Sequence, residues 1–71
     1  MSWSQQVYST MVSEVSYDDE AQELIVTWAK SGKRSAYRGV PEELALQLAN
    51  APSVGQMINM EIKPYYQHRY V

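Results

Sequence analysis

Apolar and polar residues alternate most cleanly over residues 23–29, where Leu24, Val26 and Trp28 fall on one side of an extended chain and Ile25 on the other. This pattern predicts a strand with one buried face. Residues 7–17 are rich in Val, Thr and Tyr, which also favour strands. Strict alternation there puts Val7, Met11, Val15 and Tyr17 on one face and Tyr8, Val12 and Glu14 on the other. Both faces then carry apolar groups. The strand is therefore either buried on both sides or changes face at a bulge. Residues 18–22 read as a solvated acidic turn, and Ser31-Gly32 as a hairpin turn where glycine can take a positive φ. Residues 34–40 form the return strand, with Arg34 and Arg38 on one side and Tyr37 on the other. A three-stranded antiparallel meander is expected.

The regime changes at Pro41, which suits the start of a helix, where its missing N–H is not needed. Glu42 and Glu43 follow at the positive end of the helix dipole. Leu44, Leu48 and Ala51 recur at helical spacing, with Val40 placed to pack beneath Leu44, and Pro52 ends the element. Ser53 opens a second short helix, and Ser53 with Gln56 fits a capping box. Met57, Ile58, Met60 and Ile62 are its apolar content, and Pro64 stops it. Gly55, near its start, reads as a packing position. Asn59 sits inside the apolar run, so it is expected to be partly buried and to pin the second helix to the sheet. The fold class predicted is α+β, a three-stranded antiparallel meander followed by two short helices packed on one face. Residues 1–6 form a flexible or sheet-covering flank, and residues 65–71 a tyrosine-rich tail.

At 71 residues, one domain spanning 1–71 is expected. Without cysteine and with a single histidine, His68, neither a disulfide nor a Cys/His zinc site can staple the core. There is little room for a deep catalytic pocket, and His68 lies near the chain end, where fraying is common. No enzyme activity, cofactor or metal is expected. No secretory signal or membrane span is read, and a cytoplasmic location is expected.

The net charge of −2 conceals an asymmetry. Residues 1–29 hold five acids and no base, and residues 30–38 hold four bases and no acid. Lys63, His68 and Arg69 lie near the C-terminus. The basic hairpin (Lys30, Lys33, Arg34, Arg38) and the tail set (Lys63, Tyr65, Tyr66, Arg69, Tyr70) are the candidate partner-binding residues. Cations interleaved with aromatic rings suit both protein interfaces and single-stranded nucleic acid. The pI near 5.2 favours the protein interface.

Tyr17-Asp18, Leu24-x-Val26-x-Trp28, Gly32, Tyr37-x-x-Val40-Pro41 and Ala51-x-Ser53-x-Gly55-x-x-Ile58-Asn59-x-x-Ile62-x-x-x-Tyr66, in that order, resemble the KTSC domain. That module is named for its occurrence at the C-terminus of a lysyl-tRNA synthetase. The resemblance runs from about Ser9 to Tyr66 and makes Pro41, Ser53, Gly55 and Asn59 structural positions. Where the family usually carries aromatic residues, this chain has Ser35 and Ile58. The resemblance implies a compact strand-plus-helix module of the kind that stands alone in bacterial and phage genomes. The function expected is a non-enzymatic regulator docking on a host protein of a nucleic-acid machine, the most concrete such partner being RNA polymerase. A direct RNA- or single-stranded-DNA-binding module is the first alternative. An oligomeric small-ligand binder is the second.

Overall fold

The computed structural model describes residues 2–71, so Met1 of the expected flank lies outside it. Five strands form one antiparallel sheet in simple sequence order: β1 (Ser2–Gln6), β2 (Val12–Asp18), β3 (Glu23–Trp28), β4 (Arg34–Arg38) and β5 (His68–Tyr70). Helix α1 (Glu42–Ala49) and helix α2 (Val54–Met57), which runs on into a π-helical turn (Ile58–Ile62), intervene between β4 and β5. The class is α+β with two short helices, as expected. The sheet has five strands rather than three.

The two extra strands are the former flank and tail. Residues 2–6 are neither a loose flank nor a cover for the sheet; they pair edge-on with β2, Trp3 opposite Tyr17 and Gln5 opposite Val15. Backbone hydrogen bonding to an open edge needs no apolar pattern, so a polar segment can complete it. Trp3 adds side-chain anchors. Its ring stacks on Tyr17 at 6.0 Å, and its indole N–H donates to Glu42 of α1 at 3.2 Å. The tail strand β5 pairs with β4, Ser35 opposite Tyr70 and Tyr37 opposite His68.

The conflict of faces in residues 7–17 is resolved by a bulge. Register slips between Val12 and Glu14, so Ser13 is the extra residue and Val12 and Val15 both point inward. Residues 7–11 are a connection between β1 and β2 rather than strand. Gly32 and Gly39 take φ of +71° and +77°, which glycine adopts without steric cost.

The core lies between the sheet and the helices. Tyr17, Leu24 and Tyr37 pack from adjacent strands against Leu48, Val54, Ile58 and Ile62. The Tyr17 hydroxyl donates to the Val40 carbonyl at 2.6 Å, fixing the entry into α1. Pro41 occupies the N-cap position rather than the first turn, and Glu42 and Glu43 follow as anticipated. Ser53 is the N-cap of α2, but its side chain makes no capping hydrogen bond, so the capping box does not form. Gly55 is a close-packing position: a Cβ there would lie 3.0 Å from the Met11 sulfur.

Asn59 corrects the expectation of a buried pin, because it is exposed. The reason is the π turn. Val54, Ile58 and Ile62 are all buried and lie four apart. In an α-helix such a stripe drifts by about 40° per step. Widening the turn reduces the drift, turning both isoleucines inward and residues 59–61 to solvent.

Candidate functional site

Strand pairing assigns every sheet residue to a face, because residues directly opposite in a ladder share one. The helices cover the face that carries Leu24, Val26 and Tyr37. The other face carries no helix. Across its centre runs a row of Ser4, Ser16, Ile25, Ala36 and Arg69. On one side of that row stand Ser2, Asp18, Glu23 and Arg38, and on the other Gln6, Glu14, Thr27 and Arg34. Both flanking rows pass from acid on β2 to base on β4. The open face is graded in charge.

Its acids are already engaged. Asp18 accepts from the backbone N–H of Glu20 and Ala21 at 3.1 and 3.4 Å. Glu14 accepts from the Ser16 hydroxyl at 3.2 Å, and Glu23 pairs with Arg69 at 3.4 Å. The bases are not. Among the described residues, neither Arg34 nor Arg38 has an ion pair, and both are exposed. Ala36, between them, is buried, and Ile25 is half-buried. Ser16, Asp18, Ile25 and Arg34 line a shallow depression of about 430 Å³ on this face.

A second concavity, of about 600 Å³, lies on the covered side, between the β3–β4 hairpin, β5 and the end of the π turn. Trp28, Ser35, Tyr37, His68 and Tyr70 face it from three strands, with Lys33 and Lys63 at its rim. The Trp28 indole donates to the Ser35 hydroxyl at 2.9 Å. The ammonium of Lys63 lies over the Trp28 ring at 5.3 Å and that of Lys33 over the Tyr70 ring at 5.7 Å. His68 sits between Tyr37 and Tyr70, at 5.3 and 5.6 Å. Burial, with Tyr70 alongside, pushes the Tyr37 hydroxyl above its ordinary pKa.

The nine candidate partner-binding residues therefore do not form one surface. Arg34, Arg38 and Arg69 belong to the open face, whereas Lys33, Lys63 and Tyr70 belong to the groove behind it. Lys30 stands in the exposed hairpin turn, and Tyr65 is exposed and apart from the groove. Tyr66 is half-buried and packs on the core. Alternation splits a basic run across a sheet, since neighbours in a strand point to opposite faces. Trp28, Ser35 and Tyr37 were not anticipated as site residues. Their shared parity along paired strands is the signal that places them together.

Among the described residues, no three His, Asp or Glu side chains are placed to hold a metal ion, and no helix is long and apolar enough to cross a membrane.

A short antiparallel sheet with both helices on one face, a charge-graded open face and a ring-lined groove define a small α+β module. The model of the KTSC domain matches residues 8–66, and the chain belongs to that family. It is similar to the crystal structure of a KTSC domain protein from Yersinia pestis, with 25% identity and a TM-score of 0.89. The similarity covers 100% of this chain and 99% of that one. No curated protein matches.

Proposed function

We propose that this KTSC domain is a non-enzymatic interaction module whose docking surface is the helix-free face of the sheet. Its occupant is an acidic segment of a protein, itself part of a nucleic-acid-handling complex such as the transcription machinery. The observation that carries the reading is the pair of exposed arginines, Arg34 and Arg38, which make no ion pair among the described residues and flank half-buried Ile25 on a face whose acids are engaged elsewhere. Arginine forks match carboxylates in geometry, and an apolar centre with a charged rim is the usual anatomy of a protein interface. Nucleic acid is the weaker fit. Binding single strands calls for rings to stack bases beside the cations, and the two rings at this face's depression, Trp3 and Tyr17, are stacked on each other, Tyr17 being buried in the core.

The test is capture of a partner from lysate by the tagged chain, with and without nuclease, beside the double variant Arg34→Ala/Arg38→Ala. A protein retained through nuclease treatment and lost from the double variant is expected. The variant should unfold within about 0.5 kcal/mol of the parent, since both side chains are exposed. Capture that survives the double change, or that nuclease abolishes, overturns the assignment.

A further inference from the structure

The groove behind the open face has features that docking through that face does not use. Its floor holds Tyr37, a residue only 1% exposed whose hydroxyl is not sealed in the core but opens to the groove, with no hydrogen-bond partner among the described residues. A hydroxyl that reaches the groove without a protein partner is free to donate to an acceptor bound there. Ser35, also 1% exposed, accepts the Trp28 indole N–H, leaving its own proton free to point outward. Lys33 and Lys63 stand at the rim, and the lining contains no carboxylate to neutralise them. Their ammonium groups rest over Tyr70 and Trp28, a contact of modest strength that a full negative charge displaces. Donors below, cations at the rim and ring faces on the walls define an anion site with room beside it for a flat group. The volume of about 600 Å³ lies in the range of small-ligand pockets.

We propose that this groove binds a small phosphomonoester. The phosphate is held by Lys33, Lys63 and the Tyr37 hydroxyl, and a planar group lies against the Tyr70 and His68 rings. No bond is made or broken. The site works as a ligand sensor, and its outer wall is β5, a three-residue edge strand exposed along its length. A ligand bridging Lys63 to Tyr70 ties that strand to the end of the π turn.

Adenosine monophosphate, adenosine and inorganic phosphate are the probes, each titrated while the Trp28 indole N–H resonance is followed by NMR, its peak assigned by comparison with Trp3→Phe. A saturable shift with the monophosphate and no shift with adenosine is expected. Inorganic phosphate tells whether the planar group contributes: weaker binding supports contact with the rings, whereas equal binding overturns the ring wall as part of the site. Lys33→Met/Lys63→Met should weaken the monophosphate at least about tenfold, because charge-assisted contacts are lost while the aliphatic stems remain. Tyr37→Phe removes a single hydroxyl and should weaken it several-fold, which keeps the test decisive if the double variant folds poorly. Arg34→Ala/Arg38→Ala, on the opposite face, should bind the monophosphate as the parent does. That control separates failure of this site from failure of protein docking. Absence of a saturable shift with the monophosphate, or adenosine binding equally well, overturns the proposal.

Discussion

Leu24 and Ile25 are neighbours in sequence and belong to different environments. Leu24 is fully buried between Tyr17 and Tyr37, under the helices. Ile25 sits half-buried on the open face, flanked by Ser16 and Ala36. One side of the sheet spends its apolar residues on cohesion, and the other keeps a small apolar centre inside a charged frame. The difference shows how a 71-residue chain without disulfides can hold its core on one face of a sheet and leave the other face outside it. Stability is concentrated on one face, which leaves the composition of the other free.

The pair also supplies the largest effect by which the contrast can be broken. Leu24→Ala should lower unfolding free energy by about 2–5 kcal/mol, the range for emptying a packed core site. Ile25→Ala should cost under about 1.5 kcal/mol, since less surface returns to water. Denaturant unfolding of the two variants measures both. Equal losses would mean that the open face is covered in solution, by a second copy or by some other occupant.

Much of the covered face was legible in the sequence. The alternation of Leu24, Val26 and Trp28 marks a strand buried on one side, and the unresolved parity of residues 7–17 admits a bulge as one of two readings, without placing it at Ser13 or showing that residues 7–11 leave the strand. What could not be read has a common cause. The strands β1 and β5 are edge strands with the sequences Ser-Trp-Ser-Gln-Gln and His-Arg-Tyr, held largely through backbone groups that no side-chain pattern reports. The exposure of Asn59 follows from a local widening of the helix, which shifts the phase of every residue after Met57. The division of the basic residues between open face and groove depends on β5, so it stayed hidden along with that strand. The family match, ending at residue 66, stops before it too.

A middle-sized effect lies in the polar atoms of the covered face. Tyr17→Phe leaves the Val40 carbonyl without its 2.6 Å donor, and should cost about 1–3 kcal/mol at neutral pH. Burial pushes the Tyr17 hydroxyl above its ordinary pKa, with the charges of Glu42, Asp19 and Asp18 acting in the same direction. The hydroxyl of Tyr37 moves the same way for the same leading reason. The unfolded chain then loses these protons first, at about pH 10. The stabilisation is complete below that pH and falls as pH rises through the higher folded values. Unfolding measured at neutral pH and at about pH 11 should show the parent losing more stability than Tyr17→Phe, so that the gap between them narrows. A gap that widens would mean that the tyrosine ionises more readily in the folded protein.

The smallest effect probes the rim, where the covered face gives way to the groove. A Cβ on Gly55 would lie 3.0 Å from the Met11 sulfur, closer than such atoms normally sit. Met11 is nonetheless 43% exposed, and its unbranched side chain has somewhere to go. Replacing a helical glycine by alanine contributes about 0.5–1 kcal/mol through the lower entropy of the unfolded chain. The two terms nearly offset each other, so Gly55→Ala should change stability by less than about 0.5 kcal/mol. Met11 also lines the groove, so its displacement should appear as a shift of the Met11 methyl resonance and of the Trp28 indole. The Arg34 and Arg38 resonances, on the other side of the sheet, should stay in place. A loss above about 2 kcal/mol would instead show that Met11 is locked, and that the packing order of the core extends to the groove wall.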